Sequence, residues 1–96
     1  MNCSIPKANK LLDKKFYAIA NDTRRKILEL LRDNPLTAGE ITNCFSISPA
    51  SISYHLQKLE QSNLVTSKRL GQYKQYRLNK EAFEEIYLWL TNLIST

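Results

Sequence analysis

The 96-residue chain is poor in the residues that most chemistry needs: two glycines, two cysteines, one histidine. Gly39 and Gly71 stand far apart, so there is no Gly-rich loop to cradle a phosphate. Cys3 and Cys44 form no CxxC pair, and a disulfide scaffold is excluded for a chain of this kind. A lone His55 cannot build a multi-histidine zinc site. No nucleophile elbow and no paired His and Cys signature occur, so we expect no catalytic residue, no enzyme and no cofactor. No apolar run approaches the ~20 residues of a membrane span. The opening "MNCSIPKANK" lacks a signal peptide's apolar segment. The expectation is a cytoplasmic protein with no membrane partner.

Repeats, low-complexity tracts and long linkers are also missing. The length suits one domain over residues 1–96 with one modest core. Residues 1–7 are expected as an arm and 80–96 as a last, dimerising helix. Cys44 lies beside Ile41 and Phe45 in a helical pattern, where a small buried thiol fits.

Charge is abundant but unevenly placed. The net charge is +5. Residues 65–80, containing "SKRLGQYKQYRLNK", carry five Lys or Arg and no carboxylate, whereas 81–96 carry three carboxylates and no cation. A dense basic segment suits a polyanion such as DNA, although a solvated strand face would read the same.

The apolar spacing predicts the order α-α-α-α-β-β-α. A first helix runs from about Lys7 to Ala20, with Leu12, Phe16 and Ile19 at i, i+4 and i+7. Asp22 can cap a second helix that buries Ile27, Leu28, Leu30 and Leu31 and ends at Asn34-Pro35. Thr37 and Glu40 form a capping-box pattern for a short third helix. Ser48-Pro49 opens a fourth, because Ser caps well and Pro is tolerated at the first helical position. Two β-prone runs meet at Gly71-Gln72 as a hairpin. Asn79 can cap the last helix, where Glu81, Glu84 and Glu85 would suit the helix dipole.

The fourth helix has an unusual outer side. At about 100° per residue, Ile52, Leu56 and Leu59 form its core face. Ala50, Ser51, Ser53, Tyr54, Gln57, Lys58 and Gln61 lie opposite, with small residues nearest the N-terminus and no acid among them. Such a face lets backbone approach a partner closely. A DNA major groove, about 12 Å wide, admits one helix, and its base edges take hydrogen bonds from Ser and apolar contact from Ala. The short helix-three, turn, helix-four unit is a helix-turn-helix arrangement. Simple capping and solvation would explain Ser48 equally.

The blocks "NDTRRKILELL", "LTAGEIT", "SISPASISYHLQKLEQSNLV" and "KRLGQYKQYRLN" resemble consecutive blocks of the ArsR family of bacterial winged-helix repressors, over about Phe16 to Asn79. They are similar above all to its small autorepressors, which lack an evident metal site. The resemblance implies a mainly α fold with a small β-hairpin, a winged helix-turn-helix. It also implies a homodimer that holds a double-stranded DNA operator. Ser48, Ser51, Ile52, Ser53, His55 and Leu56 match the family's recognition-helix block. Departures are a proline one place early, next to Ala50, Tyr54 where Arg, Gln or His is frequent, and neutral Gln72 after Gly71 in the wing.

The expected DNA-binding residues are Thr37, Ser48, Ala50, Ser51, Ser53, Tyr54, His55, Gln57, Lys58, Lys68, Arg69, Gln72 and Lys74. His55 flanks the core side, so it can pack against a neighbouring element or reach a phosphate. The apolar surplus of Leu11, Leu12, Phe16, Phe83, Tyr87, Leu88, Trp89, Leu90 and Ile94 points to a dimer interface on the first and last helices. No metal site is expected. Thr37 and Gly39 stand where family members carry a Cys-x-Cys pair, and the last helix has no histidine. Two alternatives remain from the residues alone: a thiol- or metal-responsive sensor using Cys3 and Cys44, and a winged-helix module that binds protein.

Overall fold

A computed structural model describes residues 3–95. Met1, Asn2 and Thr96, the outermost parts of the expected arm and last helix, lie outside the described residues. Residues 3–9 take no regular structure. The elements that follow are α1 (Lys10–Ile19), α2 (Asp22–Leu30), β1 (Leu36–Thr37), α3 (Ala38–Thr42), α4 (Pro49–Gln61), β2 (Val65–Leu70), β3 (Tyr73–Leu78) and α5 (Lys80–Ile94). Among them, no helix is long and apolar enough to cross a membrane.

Side-chain caps set most of the helix starts. Asn9 accepts from Leu12 N at 3.0 Å, so α1 begins at Lys10 rather than near Lys7. Asn21, not Asp22, caps α2 by accepting from Arg24 N. Asp22 instead pairs with Lys26 at 2.9 Å, one turn on. The capping box of α3 is complete: Glu40 accepts from Thr37 N at 2.9 Å, and Thr37 Oγ1 accepts from Glu40 N at 3.1 Å. Ser48 caps α4 by accepting from Ser51 N, with Pro49 in the first turn. Asn79 occupies the cap position of α5, but its amide donates to Asn63 O at 2.9 Å and ties that helix to the end of α4.

Beyond α4, Asn63 takes a left-handed φ of +65°. That conformation is typical of the residue after a helix, and Asn tolerates it better than most. It turns the chain into β2. The hairpin then reverses at Gly71, φ +61°, with Leu70 paired to Tyr73 across the two-residue loop. Positive φ at the first loop position, and not at Gln72, is the pattern of a II′ turn.

The sheet is antiparallel with order β1-β3-β2. The sequence pattern does not reveal β1. It has two residues, pairing Leu36 with Tyr76 and Thr37 with Gln75, too few for an alternation to register.

Ile27, Ile41, Ile52, Leu56, Leu59, Leu64 and Val65 are fully buried and join α2, α3, α4 and β2 in one core. Each such side chain contributes about 1.5–3 kcal/mol when removed from water, so the three anchors of α4 hold it firmly. Two expectations need correction. Leu12 faces this core at 8% exposure rather than a dimer surface, and Phe16 and Phe83 pack partly against it. Cys44 is exposed. Helix α3 stops at Thr42, so the helical spacing that buries Ile41 no longer governs Cys44, whose thiol donates to Glu40 O.

Lys15 is buried, and its ammonium meets Glu85 of α5 at 3.1 Å. Glu85 is therefore a partner for α1 rather than a first-turn residue. Glu85→Ala would leave a buried cation unpaired. We expect a loss of about 1–2 kcal/mol, moderated because the carboxylate is 42% exposed. Lys15→Met should be nearly neutral. Urea unfolding of the two variants, read from midpoints at equal slope, checks both.

Candidate nucleic-acid interface

Helix α4 presents its expected outer side. Ala50, Ser53, Tyr54 and Gln57 are exposed, and Ser51 and Lys58 are half-buried. The Ser48 hydroxyl donates to Ser51 Oγ at 3.0 Å, which links the first two hydroxyls of the helix. The Lys58 ammonium lies 5.4 Å from the Tyr54 ring centroid, within range of the ring's quadrupole. Ala50, Ser53, Tyr54 and Gln57 line an open cleft of about 500 Å³ with Glu60, Lys74 and Tyr76. The cleft runs between α4 and the hairpin.

On the hairpin, Lys68, Arg69, Gln72 and Lys74 are all exposed. Arg69 stands directly across from Lys74, and Lys68 from Gln75. Lys68 and Arg69 form no ion pair among the described residues. Lys74 pairs with Glu60 at 3.4 Å. Tyr76 first, and Glu60 after it, raise the Lys74 pKa above an ordinary lysine's.

Two expected contact residues are engaged within the subunit. Thr37 spends its hydroxyl and its backbone N–H on the α3 capping box and stands opposite Gln75 of β3. His55 brings Nδ1 to 3.2 Å from an Arg24 terminal nitrogen. Arginine only donates, so this Nδ1 accepts and the proton of the neutral ring sits on Nε2. Burial first, and the Arg24 charge second, hold the His55 pKa below the usual value.

Arg24 is the residue that sequence reasoning missed. It is buried at 5% exposure. Its Nε donates to Ala18 O at 2.7 Å, a terminal nitrogen donates to Tyr17 O at 3.2 Å, and the guanidinium lies 5.2 Å from the Tyr17 ring centroid. A signal was available, because Arg24 precedes Ile27 and Leu28 by three and four residues and so shares their core face. Glu60 was missed as well.

The surface is thus a hydroxyl-rich helix whose one acid, Glu60, is paired with Lys74, flanked by a cationic hairpin. Among the described residues, no three His, Cys, Asp or Glu side chains gather as a metal ion would require. Comparison with known proteins agrees with this geometry. A family model described as a helix-turn-helix domain matches residues 19–68, from the end of α1 into β2. The transcriptional repressor SdpR of Bacillus subtilis is 42% identical over 80 residues, 83% of this chain and 89% of its own. The chain belongs to the ArsR family of winged helix-turn-helix transcriptional regulators.

Solved structures carry the same fold into this ArsR-family chain. The crystal structure of an ArsR family transcriptional regulator superposes with a TM-score of 0.82 at 29% identity, covering 86% of this chain and 91% of that one. A homodimeric winged helix-turn-helix DNA-binding domain from Mycobacterium bovis superposes with a TM-score of 0.73 at 24% identity, over 88% of this chain and 78% of that one, and shares the fold.

The depressed His55 pKa makes stability pH-dependent in a definite direction. The unfolded chain takes up the proton at higher pH than the folded one, so stability falls as pH drops below the ordinary histidine value near 6.5. Denaturation midpoints from pH 8 to pH 5 should decline over the acid half of that range. His55→Gln should remove this histidine's share of the decline.

Proposed function

We propose that this ArsR-family regulator is a repressor that grips a twofold-symmetric operator as a homodimer, with α4 in the major groove and the hairpin along the adjoining backbone. One observation carries the reading. The outer side of α4 is open with small side chains nearest its N-terminus, its one acid, Glu60, is paired with Lys74, and it adjoins Lys68 and Arg69, cations with no ion pair among the described residues. Ala50, Ser51, Ser53, Tyr54 and Gln57 are the candidates for base edges. Ser48, Lys58, Lys68, Arg69 and Gln72 are candidates for the phosphates and sugars that fix register. His55 holds Nδ1 on Arg24, which leaves Nε2–H as the group that would meet a phosphate. Thr37 serves by capping α3 behind the recognition helix.

The dimer follows from surplus apolar surface. On α5, Tyr87, Leu88, Leu90 and Ile94 are exposed together with Trp89, whose ring stands edge-on to Phe16 of α1 at 5.1 Å. Leu11 of α1 is exposed as well. Apolar surface of this extent marks an interaction site, and a second copy related by a twofold axis covers it reciprocally. Two α4 helices could then read half-sites about 10–10.5 bp apart, one turn of the duplex. Repression by occupancy of a promoter is supported by the likeness to the repressor SdpR. Such a protein would act in the cytoplasm.

A gel shift on the DNA upstream of the chain's own coding region, repeated at several salt concentrations, tests the reading. Lys68→Ala with Arg69→Ala should weaken binding to every sequence and lower the salt slope of the dimer by about 3.6, two phosphate contacts from each subunit. An unchanged slope would remove the hairpin from the interface. Tyr54→Ala should alter preference among operator variants more than affinity for random duplex; equal losses on all DNA would deny it a reading role. Leu90→Asp should shift the molecule to monomer in sedimentation velocity, and operator affinity should fall with it.

A further inference from the structure

Glu60 is the only carboxylate between Glu40 and Glu81 in the sequence, and it sits where the proposed DNA surface is most cationic. It stands on the last turn of α4. Its Oε2 accepts from the Ser67 hydroxyl of β2 at 2.8 Å, and its Oε1 meets the Lys74 ammonium of β3 at 3.4 Å. One side chain thus reaches from the recognition helix to both strands of the hairpin. Holding the hairpin requires only an acceptor oxygen, which a neutral glutamine would also supply. The negative charge goes beyond what the tether needs. Beside a polyanion it is also unfavourable, since it repels phosphates and cancels a cation.

We propose that Glu60 is a positioning residue that withholds Lys74 from DNA and so limits the sequence-independent part of the affinity. The inference rests on the DNA-binding reading above. The sequence pattern counts Lys74 among the phosphate contacts, but its partners argue otherwise. The Glu60 side chain is 30% exposed, and the oxygen that meets Lys74 is not the one that Ser67 holds. The ammonium also lies 5.4 Å from the Tyr76 ring centroid. Lys68 and Arg69 then carry the phosphate charge of the hairpin, and Lys74 sets the angle between hairpin and α4. Non-specific binding is almost wholly electrostatic, so removing one cation from the count restrains it directly.

The test uses the full chain and a 30-bp duplex of random sequence, with binding followed by fluorescence anisotropy over a salt series. Glu60→Gln keeps the Ser67 bond and frees Lys74. It should tighten binding severalfold at low salt and steepen the logarithmic salt slope of the dimer by about 1.8, the value of one added phosphate contact from each subunit. Lys74→Gln should leave the slope as in the unaltered chain, and adding Lys74→Gln to Glu60→Gln should restore it. Ser67→Ala, which cuts the tether without freeing Lys74, should lower the melting temperature and leave the slope alone. A slope reduced by about 1.8 in Lys74→Gln alone would overturn the proposal, because Lys74 of each subunit would then already sit on phosphate. So would an unchanged slope in Glu60→Gln, or a steeper one in Ser67→Ala. Absence of any duplex affinity in the unaltered chain at low salt would instead overturn the DNA-binding reading, and the inference with it.

Discussion

A single buried guanidinium joins three of the five helices. Arg24 belongs to α2, donates to Ala18 O and Tyr17 O at the end of α1, and reaches His55 on α4. A buried charge is costly unless its hydrogen bonds are met. Among the described residues no carboxylate meets them. Carbonyls at the C-terminal end of α1 do, and that end carries the negative pole of the helix dipole. Ala18 O, near the open end of α1, is satisfied by the same contact, while Ile19 O is met by Arg25. Helix α4 is then fixed to α2 and the end of α1 through an imidazole that accepts from Arg24.

The hairpin hangs from α4 by a second set of polar ties. Asn63 turns the chain at positive φ, Asn79 returns to Asn63 O and Leu64 O, and Glu60 reaches across to Ser67 and Lys74. These contacts lie at the base and middle of the hairpin. Its tip, Gly71-Gln72, is left exposed. Rigid placement near the helix and an open tip are what the proposed backbone contact would require, since phosphate contacts position a protein only if their own geometry is fixed.

On the opposite side of the molecule, α5 is held to α1 by Lys15–Glu85 and by Phe16 against Trp89. These contacts use up one face of α5 and leave its remaining apolar residues outward. The division explains why Leu12 and Phe16 are not simple surface residues while Leu11, Tyr87 and Leu90 are. The first helix must serve the subunit core before it can serve a partner.

What could be read along the chain was whatever depends on near neighbours. Thr37 with Glu40, Ser48 with Pro49 and Gly71 with Gln72 act within a few residues, so caps and turn were legible from local chemistry. The three-residue and four-residue spacing of Ile52, Leu56 and Leu59 likewise fixed which side of α4 is inward. The pairing of β1, the meeting of Lys15 with Glu85 and of Arg24 with His55, and the seat of Glu60 were decided only when distant segments met. Arg24 and His55 are 31 residues apart, and Glu60 and Lys74 are 14 apart. A long charged side chain takes its partner from whichever element packs beside it, and periodicity carries no record of that neighbour.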